Sequence, residues 1–486
     1  MSIATNGDMH QRRHFPADFL WGAASAAYQV EGGADADGRS PSIWDTFSHT
    51  PGKVFRGDTG DVACDSYHRA ADDVQLLSEL GVGAYRFSVS WSRILPDGCG
   101  PANQAGLDYY RRLAGALREA GIEPVATVYH WDLPQVLEDQ GGWANRDTAC
   151  RLGELAQALG EALGDLVKMW ITVNEPLQAV HQGYRLGTHA PGKHDPELAA
   201  AATHHILLGH GLAVEALRAS APAGIKAGPA LDPRHYVALD QAAQAGATTL
   251  DAEYTRMYLD PIFKGCYPQQ ARGALTPPDS LIHSGDMALI STPVDFLGVN
   301  YYRPHWLRGS NAAGPLLGEE PIPELPGIVQ YVPPECPCTC MGWPIAPACL
   351  TGLLNRLTQD YGDIKLYVTE NGCAADDYVT PDGTVNDGER VSYLHSHLNA
   401  VLDALDAGVN VAGYFCWSLL DNFEWAQGYR RRFGLYYVDF ETGRRLAKRS
   451  ASFYATVTRE NLLPELRDVL PEGDPVSGRH AQPVAV

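Results

Sequence analysis

Eight short apolar stretches punctuate the chain, and segments with helical patterning separate most of them. The stretches are FLWGAAS (19–25), AYRFSVS (84–90), EPVATVYH (123–130), MWITVNE (169–175), IKAGPALD (225–232), DFLGVNYY (295–302), KLYVTEN (365–371) and VAGYFCWS (411–418). They lack clean period-two alternation, which predicts parallel strands covered on both faces. Between them, SYHRAADDVQLLSELGV sets Ala70, Val74, Leu77 and Leu80 at helical spacing, with Gly81 as a stop. AGLDYYRRLAGALREAGI, DTACRLGELAQALGEALG, the stretch from Glu197 to Ser220 and ERVSYLHSHLNAVLDALDAGV read the same way.

Strand then helix, eight times, is the order of a closed (β/α)8 barrel. The predicted class is therefore α/β, a single TIM barrel whose long βα loops form the active-site pocket. A doubly wound open sheet is disfavoured, because no glycine-rich phosphate loop follows the first strand; GVGAYR (81–86) lacks the third glycine. The barrel is expected over 15–463, with a flexible lead over 1–14 and a loose tail, rich in proline and charge, over 464–486. Residues 303–350, with many prolines and glycines, read as a long loop walling the active site.

Barrel topology brings the C-terminal strand ends to one face. Polar residues there include Gln29, Arg86, His130, Asn174, Glu175, Asn300, Tyr302, Glu370 and Trp417. A rim that merely met solvent would be richer in Lys, Ser and Asp than in Trp, Tyr, His and Gln. Glu175 ends the fourth strand and Glu370 the seventh, three steps apart round the ring one way and five the other. Two facing carboxyl groups suit glycosidic bond cleavage: one protonated to assist the leaving oxygen, the other ionised to attack carbon or activate water. A separation of about 5–5.5 Å would mean retention at the anomeric carbon, and about 6.5–9.5 Å inversion.

Charge and composition remove other classes. The net charge is −21, from 58 acidic and 37 basic residues, which argues against nucleic acid or an anionic membrane as partner. No segment reaches the roughly 18 apolar residues of a membrane helix, and the first residues carry no apolar secretory core. Ten scattered cysteines fit reduced thiols in a cytoplasmic protein.

Several motifs in order resemble family 1 of the glycoside hydrolases, of the β-glucosidase type: FLWGAASAAYQVEGG (19–33), YRFSVSWSRILP (85–96), YHWDLPQ (129–135), TVNEP (172–176), GTHAPG (187–192), NYY (300–302), MGW (341–343), YVTENG (367–372) and WSLLDNFEWAQGYRRRFGLYYVD (417–439). The likeness spans about Phe15 to Glu460. It implies a barrel that hydrolyses β-glucosides and oligosaccharides with retention, with no cofactor and no metal. By motif, Glu175 would be the general acid/base and Glu370 the nucleophile. Arg86, Asn300 and Tyr302 would support the nucleophile. Gln29, His130, Asn174, Trp417, Glu424, Trp425 and Phe433 would bind the sugar. Trp343 and His189 would line the aglycone side.

Rival readings remain at this stage. A 6-phospho-β-glycosidase would need a positive site; the run Arg430-Arg431-Arg432 offers one, while a Glu424 carboxylate opposes it. A non-catalytic sugar-binding barrel would be expected to lack one of the two carboxylates. Cys336-Pro-Cys338-Thr-Cys340 has the wrong spacing for common zinc sites. His204, His205 and His210 are expected to cap a helix or face solvent.

Overall fold

A computed structural model describes residues 13–310 and 318–470, together with the backbone of 479–480. Eight parallel strands close into a barrel. They are β1 (Leu20–Ala24), β2 (Ala84–Ser88), β3 (Glu123–Tyr129), β4 (Met169–Asn174), β5 (Lys226–Leu231), β6 (Leu297–Asn300), β7 (Leu366–Asn371) and β8 (Val411–Trp417). Each lies inside one of the eight apolar stretches. Ring order follows chain order, and β8 pairs back onto β1 with Gly413 opposite Leu20. Every residue of β2, β4 and β7 is buried. One side of each strand fills the barrel interior and the other meets helices, which is why the sequence shows no polar-out alternation.

The helical patterns become an outer ring. Ser66–Leu80 stops at Gly81, whose φ of 70° suits glycine. Gln104–Glu119 buries Leu107, Tyr110, Leu113, Ala114 and Leu117 along one stripe. Pro196–Ser220 begins with Asp195 accepting from the backbone N–H groups of Glu197 and Leu198. Pro347–Tyr361 and Arg449–Glu460 add further helices.

Two expectations need correction, and parts of both chain ends can be placed. His204, His205 and His210 do not face solvent; they are buried on a helix enclosed nearly all round. His204 bonds Tyr267 and Asp286, His205 the Trp143 carbonyl, and His210 the Thr172 hydroxyl. The 303–350 segment is not all irregular: His305–Gly309, Glu319–Pro321 and Ile328–Tyr331 join Tyr236–Ala238 in a four-stranded sheet. The lead is anchored at its end, where Arg13–His14 pairs with Leu462–Leu463 and Arg13 meets Asp403 and Asp406. Residues 1–12 lie outside the described residues. The tail is held at two points: Leu466–Val469 is helical with Leu470 buried behind it, and Arg479–His480 pairs with Pro337–Cys338. Its remaining positions (471–478 and 481–486) lie outside the described residues.

Below the loop after β8 sits a buried ionic cluster. Arg390 meets Asp377 and Asp387, Lys448 meets Asp377 and Asp421, and Arg432 meets Asp421. Charges buried in a network satisfy one another where a lone one would be costly. The cluster ties the loop that carries Glu424 and Trp425 to two outer helices.

Candidate active site

A cavity of about 260 Å³ opens at the C-terminal strand ends. Its wall includes His130, Glu175, Asn300, Tyr302, Glu370, Trp417, Glu424, Trp425, Phe433, Trp343 and His189. Gln29, Arg86 and Asn174 stand behind that wall, buried and bonded to residues in it.

Local backbone aims the two carboxylates. Register shifts interrupt β4 against β5 between Ile171 and Asn174, and β7 against β6 between Val368 and Glu370. Such irregularities re-aim side chains at strand ends. Glu175 follows with a left-handed φ of 43°, and Pro176 then opens a short helix. A non-glycine residue held there is a local strain that the surrounding packing must maintain.

Glu370 is engaged at both oxygens: Arg86 Nη1 lies 2.6 Å from Oε1, and the Tyr302 hydroxyl donates to Oε2 at 2.6 Å. Burial and the charges of Glu370 and Glu175 push the Tyr302 phenol well up, so it remains a donor. Glu175 has a different setting. Asn300, expected to support the nucleophile, instead donates from Nδ2 to Glu175 Oε1 at 2.7 Å, and Thr369 donates to Asn300 Oδ1, fixing the amide's orientation. Burial first, then the charges of Glu370 and Asp232, push the Glu175 carboxyl well above the usual range. Asn174 links the two centres, accepting from Arg86 and Asn300 and bonding His130 Nε2 at 3.1 Å. Burial and the Arg86 charge hold the His130 imidazole neutral.

The opposite wall is aromatic and amide-rich. His130 stacks at 20° to both Trp417 and Trp425. Gln29 Nε2 reaches Asn422, the Phe423 carbonyl and, at 3.4 Å, Glu424. Gln29 Oε1 and His130 Nδ1 are buried without a partner among the described residues. Burial and the Glu370 charge push Glu424 up to about 8. The ionised Glu424 assumed from sequence is therefore the minor form at neutral pH. His189 packs against Trp44 and Trp131, while Trp343 packs against Tyr302 and Phe433.

The cavity also recruits residues absent from the sequence-based set: Trp131, Gln178, Gln182, Asp232, Arg234 and Arg303. Asp232 follows β5 directly, so the strand-end rule that found Glu175 would have found it. Gln178 Nε2 donates to it at 2.8 Å, and burial raises its carboxyl to about 6 against the pull of Arg234. Arg430, Arg431 and Arg432 do not line the cavity. Arg432 pairs with Asp421, Arg431 lies 3.8 Å from Asp376, and Arg430 covers the Phe55 ring. The thiols of Cys336 and Cys340, on the segment beside the mouth, are pushed up to about 11 by burial. All ten cysteines are free, and of them only Cys150 and Cys266 are exposed.

This architecture has close counterparts. The chain is 48% identical over 452 residues to a thermostable β-glucosidase B of Thermobispora bispora, covering 92% of this chain and 91% of that protein. It is 43% identical to a bifunctional β-D-glucosidase/β-D-fucosidase of Bifidobacterium breve, covering 90% of this chain and 97% of that protein. The solved structure of a β-glucosidase from Thermotoga maritima in complex with noeuromycin superposes with a TM-score of 0.86 at 42% identity, covering 93% of this chain and all of that one. The model of glycosyl hydrolase family 1 matches residues 11–462, a span that takes in all eight strands and both carboxylates, and the chain belongs to that family.

Proposed function

We propose that this protein is a retaining β-glucosidase. It releases terminal non-reducing β-D-glucosyl residues from small glycosides and oligosaccharides and also accepts β-galactosides and β-fucosides. One observation carries the reading: two carboxyl groups on one cavity have opposite settings. Donors aim at both oxygens of Glu370, while burial and charge favour the protonated form of Glu175. The named activities of the relatives, glucosidase and in one case also fucosidase, support the same substrate class.

In the first step a Glu370 oxygen attacks the anomeric carbon while Glu175 gives its proton to the glycosidic oxygen. The carbon–oxygen bond breaks, the alcohol leaves, and a glycosyl ester remains. In the second step Glu175, now a carboxylate, takes a proton from water, whose oxygen attacks the same carbon. Glu370 departs, and Glu175 is protonated again. Esterification removes the Glu370 charge, the second-largest cause of the Glu175 shift. Glu175 therefore ionises more readily when a base is needed.

Arg86 and Tyr302 position the Glu370 carboxylate, and Asn300 positions Glu175. Gln29, His130, Glu424 and Trp425 meet the sugar hydroxyls, Asn174 the 2-hydroxyl, and Trp417 the apolar face of the ring. The unpartnered Gln29 Oε1 and His130 Nδ1 suit a ligand rich in hydroxyls. Phe433, Trp343 and His189 shape the remaining wall. The catalytic unit is the barrel over 15–463, and the free thiols suit the cytoplasm.

A panel of aryl glycosides, with the first-formed anomer read by NMR, tests the reading. The β anomer is expected; the α anomer would overturn retention, and cleavage of a nitrophenyl glucoside 6-phosphate in preference to the glucoside would favour the phospho-glycosidase.

A further inference from the structure

One part of the cavity carries two arginines that no carboxylate among the described residues meets as a close ion pair. Arg234 and Arg303 both line it, alongside Asp232, Glu175 and Trp343. Arginines with buried side chains elsewhere have carboxylate partners: Arg86 with Glu370, Arg93 with Glu31, Arg39 with Asp45, and Arg390 with Asp377 and Asp387. Among the described residues Arg234 and Arg303 form no ion pair. Arg234 has one long hydrogen bond, to the Tyr236 hydroxyl at 3.4 Å, and lies over the Tyr254 ring. The Arg303 guanidinium sits 5.4 Å from the centre of the Trp343 ring.

Their surroundings compensate the two charges unequally. Burial, with the repulsion of Arg234, lowers Arg303 to about 10, so it is still a cation at neutral pH. Glu320 and the Tyr236 phenol act in the opposite direction without pairing with it. Asp232 answers part of the Arg234 charge, which leaves Arg303 as the less compensated of the two. A guanidinium presents a flat fork of donors that a carboxylate fits with two bonds. Trp343 beside it offers a flat apolar face. Asp232 raises the Glu175 carboxyl, so the arginine side of the cavity adjoins the group that protonates the leaving oxygen.

We propose that Arg303, assisted by Arg234, receives a carboxylate carried on the aglycone, and that the preferred leaving group is an aromatic acid lying along Trp343. The inference rests on the β-glucosidase reading and extends it to the departing half of the substrate.

The test compares kcat/KM of the full chain for 4-carboxyphenyl and 4-carbamoylphenyl β-D-glucosides. The amide's phenol is the better leaving group, so intrinsic reactivity favours the amide. We expect the acid to be preferred by about tenfold, the scale of one charged hydrogen-bonded pair, and the preference to shrink with added sodium chloride. Arg303→Gln should bring the acid-to-amide ratio to one or below, and Arg303→Lys should retain part of the preference. Each ratio is internal to one variant, so partial loss of folded protein affects both substrates alike. A 4-sulfophenyl glucoside is expected to fall below the carboxylate; the reverse order overturns the assignment to a carboxylate. A wild-type ratio at or below one, or an unchanged ratio in Arg303→Gln, overturns the proposal. Calorimetry with the uncleavable thioglucosides of the acid and the amide reads the same preference without turnover. If nitrophenyl glucoside is not cleaved, the β-glucosidase reading fails, while the calorimetric comparison still decides the role of Arg303.

Discussion

Arg86 grips Glu370 and Asn174 at once: Nη1 lies 2.6 Å from the Glu370 carboxylate, and Nη2 donates to Asn174 Oδ1. The guanidinium is fully buried, so the ends of β4 and β7 share one desolvated charge. Arg86→Met leaves Glu370 buried without its cation, at a cost of about 3–5 kcal/mol. The urea midpoint should fall accordingly, and turnover of a nitrophenyl glucoside should fall with it. An unchanged midpoint would show that the pair contributes nothing to stability.

Glu370→Gly removes the proposed nucleophile and opens space where it stood. Turnover should drop by about 10⁴-fold or more. Azide should then restore cleavage of a reactive aryl glucoside and yield the α-glucosyl azide. Near-normal turnover without azide would exclude Glu370 as nucleophile.

Glu175→Ala removes the proposed proton donor. General acid catalysis contributes about 10²–10⁴-fold, and more where the leaving group is poor. Dinitrophenyl glucoside should therefore lose little in the glycosylation step, and an alkyl glucoside most of its rate. Equal losses on both would contradict the acid role.

Glu424 carries a pH dependence whose sign is fixed. Its folded-state value, raised to about 8, lies above the unfolded value of about 4.3. The folded protein thus holds a proton that the unfolded chain has released. The resulting stabilisation is complete below about pH 4.3 and is lost as pH rises through about 8. Glu424→Gln cannot ionise, so its urea midpoint should fall less than the wild type's between about pH 5 and about pH 9. Parallel curves would mean that Glu424 titrates normally.

The barrel was legible because its strands are buried on both faces, and such strands stand out as mostly apolar runs without polar alternation. Glu175 and Glu370 were legible for a related reason: a carboxylate closing such a run has little structural purpose. Arg234 and Arg303 were hidden. Each lies three residues beyond its strand, in loops whose course depends on the four-stranded sheet formed by residues far apart in the chain. The helix histidines misled for the same reason. Helical spacing defines a face, but what covers His204 is Tyr267 and Asp286, brought in by the fold. The ionisation of Glu424 also escaped the sequence, because it depends on burial and on Glu370 across the cavity.

The distribution of thiols has a practical side. Cys336 and Cys340, beside the mouth, are sheltered and stay protonated, whereas Cys150 and Cys266 stand in the open. Cys150 lies on the helix Asp147–Leu163, and Cys266 just past Met257–Lys264, both in the layer outside the strands. Maleimide chemistry under mild conditions would therefore decorate the outer shell first, giving anchor points for a dye or a solid support that leave the entrance for glycosides unobstructed.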